Sequence, residues 1–221
     1  MNEMTGCRES LGWFPRVTIE KYSADQVRWA RGKLTGYRAD WRSGKYHTGQ
    51  LLGDWLRSVL PYPECGTVTD TGNGVTLAGL TNWAQVLTGT GGHPLAPGRT
   101  VFGVGSDGLS MFEREHVHLS PLEDEGDGRT WYRPMDPGYP QPLGLTSIEG
   151  QATFTETEAC FAWHEWCWAS GPPEPQAHHA LHGAYGMEGA VMVNRKAHPA
   201  GYGVKEAGVA WVFRTQIELL G

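Results

Sequence analysis

The sequence predicts a mainly β protein, an antiparallel β-sandwich or barrel with short helices in an N-terminal arm, and three observations carry that expectation. The 31 glycines and 14 prolines are about a fifth of the 221 residues, against a usual share of roughly 12%, which suits a loop-rich sheet protein better than a helical bundle. The closing segment 209–219 alternates, with Val209, Trp211, Phe213, Thr215, Ile217 and Leu219 on one side and Arg214, Gln216 and Glu218 on the other, the pattern of a half-buried strand. Turn-separated apolar stretches, about seven in all, fit an antiparallel architecture.

Taken in order, residues 1–60 read as a basic arm with short helices and residues 61–221 as the antiparallel body. A short strand is expected at Val17 to Ile19. Ser23 can cap a helix running to about Lys33, with Gln26 placed for a capping box and Gly32 and Gly36 as stops. Leu51, Leu52, Trp55, Leu56 and Val59 make a helical stripe over 48–60 that Pro61 ends. A turn at Thr71 to Gly74 leads into Val75 to Leu77, then a short helix over 80–87 closed by glycines. Thr100 to Gly105 is a strand whose glycines admit close backbone approach, and the acidic stretch 113–128 is an exposed loop. Strands follow at 130–135, 143–148 and 151–155, the last two split by a turn at Glu149 and Gly150, and another is expected at 190–196.

Ala159 to Ser170 (A-C-F-A-W-H-E-W-C-W-A-S) is expected to be the central strand, covered on both faces. A period of two puts Phe161, Trp163, Glu165 and Cys167 on one side and Cys160, Ala162, His164, Trp166 and Trp168 on the other. His164 and Glu165 then point apart and cannot serve one substrate together. Glu165, among apolar neighbours, needs a donor, and Arg195 is a candidate.

The net charge of −6 is unevenly spread. Residues 1–60 carry ten Lys or Arg against six acids, a net of +4, which leaves −10 for the rest. A basic arm on an acidic body suits docking on an acidic protein surface or on other copies of the body. Because the basic residues are interspersed with acids, they make no stripe for nucleic acid. No apolar run reaches membrane-spanning length, and Met1 to Pro15 holds Glu3, Arg8 and Glu9 without a signal-like apolar core; the expectation is a soluble, cytosolic product with no membrane partner. Cys7, Cys65, Cys160 and Cys167 lack zinc-ribbon or redox spacing and are expected as free thiols. The phosphate-loop, dinucleotide and nucleophile-elbow patterns do not occur. Histidines are dense at His178, His179 and His182, with His116 and His118 as a second pair, and imidazole is a ligand for zinc or nickel.

Six segments occur together in order: E-K-Y-S-A-D-Q (Glu20 to Gln26), L-A-G-L-T-N (Leu77 to Asn82), F-G-V-G (Phe102 to Gly105), W-Y-R-P-M-D-P-G-Y-P (Trp131 to Pro140), F-A-W-H-E-W (Phe161 to Trp166) and V-N-R-K (Val193 to Lys196). With them the chain resembles virion structural proteins of tailed bacteriophages that infect actinobacteria, over about residues 17–219. The acidic insertion at 123–127 and the His-rich loop depart from the pattern. The resemblance implies a non-enzymatic particle component without a cofactor and fits either capsid or tail; the compact body with a basic arm favours a capsid decoration protein made in the host cytoplasm and carried on the capsid surface. It would form a homo-oligomer, such as a trimer, and anchor on the major capsid protein. In that expectation Arg28, Arg31, Lys33, Arg38, Arg42 and Lys45 anchor the arm, while Phe161, Trp163, Glu165, Trp166, Trp211 and Phe213 make the body rigid. The alternatives are a tail or fibre component that binds a host glycan or a tail partner, and a metal-dependent enzyme built on His178, His179 and His182.

Overall fold

A computed structural model describes residues 12–38, 52–60, 62–108, 112–119, 129–171 and 189–220. Two five-stranded sheets pack face to face as an antiparallel sandwich. The first runs β2-β1-β12-β7-β6, from β1 (Gly12–Tyr22), β2 (Thr67–Thr71), β6 (Gln141–Pro142), β7 (Ser147–Phe154) and β12 (Ala210–Leu220). The second runs β3-β10-β9-β4-β5, from β3 (Gly74–Val75), β4 (Thr100–Gly105), β5 (Thr130–Pro134), β9 (Glu165–Ser170) and β10 (Val191–Ala197). A small ribbon pairs β8 (Ala162–Trp163) with β11 (Gly203–Val204). Three helices complete the described chain: α1 (Ala24–Arg38), α2 (Leu52–Val59) and α3 (Leu77–Thr88).

The core between the sheets is aromatic. Phe102, Trp166 and Trp168 of the second sheet meet Phe154, Trp211 and Phe213 of the first, with Trp163 stacked on both Phe154 and Trp211 at 4.7 Å between centroids. Edge-on contacts of this kind add about 0.5–1.5 kcal/mol each beyond the area they bury. Trp163, Glu165, Trp166, Trp211 and Phe213 are all buried, and Phe161 packs half-buried against the cluster.

The expected continuous strand over 159–170 is instead two strands broken at His164. The His164 amide bonds to the Gly105 carbonyl and its own carbonyl accepts from the His198 amide, so one residue drops out of the alternation. As a result Trp163 and Trp166 both enter the core, while Glu165, Cys167 and Ala169 face outward from the second sheet. That outer face is not open: Leu119, Tyr132, Ala190 and Met192 cover it. Likewise β7 runs straight through Glu149 and Gly150, where a turn is expected. Gly150 is there for closeness, since a Cβ would sit 2.5 Å from Trp168 Cζ2.

The boundary expected at residue 60 is crossed by the sheet itself. All eleven residues of β1 pair with β12, from Gly12 opposite Leu220 to Tyr22 opposite Ala210. Helices α1 and α2 then lie on the outer face of this sheet, where Val27, Ala30, Leu52 and Leu56 cover Tyr22, Ala210 and Val212. This is why β12 buries both faces in its first half and turns polar outward only from Arg214. The α1 start is as expected: the Gln26 amide donates to Ser23 Oγ and the Ser23 amide to Gln26 Oε1, each at 3.2 Å, a reciprocal capping box.

Candidate functional site

The outward-facing side of the second sheet holds a fully buried ion pair. Arg195 Nε and Nη2 lie 2.7 and 2.6 Å from Glu165 Oε2, and both side chains are 0% exposed. The expected Glu165 and Arg195 pair is therefore present. Space for it comes from the glycines of β4: a Cβ on Gly105 would overlap the Glu165 carboxylate, and one on Gly103 would stand 2.6 Å from Tyr132 Cε1 and 2.7 Å from Cys167 Sγ. The segment 112–119 closes over the pair. His116 Nδ1 accepts from the Glu113 amide at 3.0 Å and lies 3.2 Å from Arg195 Nη1, and the Leu119 amide donates to the Tyr132 hydroxyl at 2.9 Å. Burial, and then the Arg195 charge, hold the His116 pKa below its usual value, and the Nδ1 that accepts from the Glu113 amide carries no proton. Covered on both sides, Glu165 and Arg195 are out of reach of a solute.

The other motif residues are used in the same way. In V-N-R-K, Asn194 Oδ1 accepts from the Trp168 amide at a bulge between β9 and β10, and Lys196 Nζ pairs with Asp70 Oδ1 at 2.6 Å. Asp70 also accepts from the Tyr202 hydroxyl at 2.7 Å, so it ties β2 of one sheet to β10 of the other. Burial alone would raise the Asp70 pKa; the bonds from Lys196, Tyr202 and the Thr71 amide outweigh it and hold the carboxyl low. In W-Y-R-P-M-D-P-G-Y-P the chain crosses from β5 to β6, and Asp136 anchors the crossing. Its carboxylate accepts from the Thr153 amide and hydroxyl and from Gln151 Nε2, at 2.7 to 3.0 Å. Gln151 in turn reaches Asp54 and Arg57 of α2. In E-K-Y-S-A-D-Q, Glu20 meets Arg57 and Arg214, and Lys21 stands 4.3 Å over the Trp211 ring. Neither Asp136 nor Asp70 stands out in the sequence, because each draws its partners from strands remote in the chain.

The six arm residues fare differently from one another. Arg31 is committed to Glu156, with Nε to Oε1 at 2.5 Å. Arg28 pairs with Asp25 one turn away, both side chains largely in solvent at 79% and 85% exposure. Lys33 lies over the Trp29 ring at 5.6 Å. Arg38 ends α1, and Arg42 and Lys45 lie outside the described residues.

The histidines do not come together as a described site. His178, His179 and His182 lie outside the described residues. His116 and His118 sit in the irregular stretch that follows a turn at 114–115, and His118 Nδ1 is 2.8 Å from the Leu119 carbonyl. Among the described residues, no group of three or more His, Cys, Asp or Glu is placed to hold a metal ion. Cys65, Cys160 and Cys167 are free thiols, and no described helix is long and apolar enough to cross a membrane. Compared with protein-family models, with curated proteins and with solved structures, the chain matches none.

Proposed function

We infer that the protein is a non-enzymatic structural component of a tailed-bacteriophage particle, a decoration protein that oligomerises and anchors on the major capsid protein at the capsid surface. The observation that carries this reading is where the six resemblance motifs fall. Glu20, Asn82, Gly105, Asp136, Glu165, Arg195 and Lys196 are each spent on joining strands, helices or the two sheets. A resemblance carried by such residues is one of architecture, and a rigid body with its charges paired internally suits a load-bearing part. The tail alternative, binding of a host glycan, needs exposed aromatic rings. Among the tryptophans whose burial is described only Trp29 is exposed, at 46%, while Tyr62 is exposed at 84%, which favours the capsid reading over a broad aromatic platform.

Removing residues 1–60 would take β1 out of its sheet, so the anchoring part of this reading is tested by charge reversal instead. Arg28→Glu with Lys33→Glu changes only α1 residues that face solvent. The doubly substituted protein is expected to fold normally, by circular dichroism, and to be lost from purified particles by at least several-fold. Undiminished incorporation would overturn anchoring through α1, and the location of the protein in particle images decides capsid against tail.

A further inference from the structure

Helix α3 turns its apolar side to solvent. Leu77, Leu80 and Leu87 are 54%, 43% and 87% exposed, and Ala84 is exposed with them. Their 3-4-3 spacing draws one narrow stripe along the helix, the seam pattern of paired helices. Beside the stripe, the Thr81 and Thr88 hydroxyls donate back to the Leu77 and Ala84 carbonyls, so part of their polarity is satisfied within the helix.

The opposite side fixes the helix in place. A Cβ at Gly79 would overlap the Val193 backbone, and Asn82 brackets His93 with bonds of 2.8 Å to its carbonyl and 2.7 Å from its amide. Thr76 caps the first turn, its hydroxyl accepting from the Gly79 amide at 2.9 Å, and Gly89 ends the helix in the left-handed region. The stripe is thus held on a rigid support, and little ordering cost remains to be met on contact.

Charge indicates what covers it. From Thr71 through Gly98 the sequence contains no Asp, Glu, Lys or Arg, in a chain where these make up 19% of residues and the net charge is −6. Two copies of an acidic body repel wherever charged faces meet. Along α3 itself they would not, because the helix carries no charge; the charged stretch Glu113 to Glu115 stands only at its N-terminal end, where the Leu77 amide donates to the Arg114 carbonyl. An acidic partner surface would be met by basic side chains, and α3 offers none.

We propose that the Leu77, Leu80, Ala84 and Leu87 stripe of α3 is the interface between copies of this chain, each helix packing against the same helix of another copy around a symmetry axis. The proposal rests on the structural-component reading for its expectation of self-association, and it names the surface responsible. Analytical ultracentrifugation of the full chain tests it. The wild type is expected at a multiple of the 24.3 kDa chain mass, and Leu80→Glu with Leu87→Glu at the single-chain mass with unchanged circular dichroism. Leu145→Glu, at a fully exposed hairpin leucine, is expected to leave the assembly intact. Hydrogen exchange on the wild type is an independent measure, with the amides of 77–88 slowing as protein concentration rises. A single-chain mass for the wild type at every concentration, an unchanged multimer in the α3 variant, or concentration-independent exchange in α3 would overturn the proposal. None of these results bears on particle incorporation of the α1 charge-reversal variant, so failure here is separable from failure of the virion reading.

Discussion

At the scale of the residue, the fold depends on carboxylates that are removed from water and then paired. Glu165 is the plainest case: leaving one member of a fully buried ion pair without the other costs about 3–5 kcal/mol. Glu165→Gln and Arg195→Met are each expected to lower unfolding free energy by roughly that amount, and the double variant by clearly less than their sum. Denaturant titration of all four proteins checks this, and additive losses would mean that the pair is not coupled. The need for this partner was legible in the sequence, because a carboxylate amid Trp and Cys must find a donor and Arg195 lay on a neighbouring strand. The shift caused by His164 was not legible. Nothing in a local alternation of apolar residues says that both Trp163 and Trp166 can face inward, and only the bonds from Gly105 and His198 impose the break.

Between elements, Asp136 is the joint that holds α2, β7 and the β5-to-β6 crossing together. Burial pushes its pKa from 3.8 up to about 6, against the bonds from Thr153 and Gln151 and the charge of Arg133. The folded protein therefore holds this proton more tightly than the unfolded chain does. Its stabilising contribution is complete below about pH 4, is lost as pH rises through about 6, and amounts to roughly 3 kcal/mol over that window. Relative to Asp136→Asn, the wild type is expected to gain stability on going from about pH 7 to about pH 4.5. Unfolding midpoints at intermediate pH values would show it, and a constant difference between the two proteins would refute the assignment. Helices were the most legible elements: the α1 capping box, the α2 stripe and the glycine stop after α3 all lie in a few adjacent residues. In α3, however, the helix expected over 80–87 carries no sign of which side is buried, and it is Gly79 and Asn82 that form that side. Close contact of Gly79 with the Val193 backbone decides the matter, and residue type alone does not record it.

On the scale of the whole molecule, the sandwich was legible from turn density and from the alternation in 209–219, while the division into arm and body was not. Pro15 interrupts the apparent pattern of β1. Yet its carbonyl accepts from the Gly72 amide at the end of the β2 ladder, so its missing N–H falls where the pairing stops. Deleting residues 1–22 is expected to leave the chain insoluble or without a cooperative unfolding transition, because Val17 and Ile19 belong to the core and β12 would lose the partner along one whole edge. A soluble truncated protein that still unfolded cooperatively would show that β1 is dispensable. The same pairing sets a timetable for folding. β1 leaves the ribosome ahead of β2 and can meet it early, yet its other edge waits for β12 at residues 210–220. Closure of this sheet consequently waits until β12 has been made, and is governed by a contact of very large sequence separation. Until then the growing polypeptide carries an apolar strand with one edge open, the kind of surface through which incomplete chains associate.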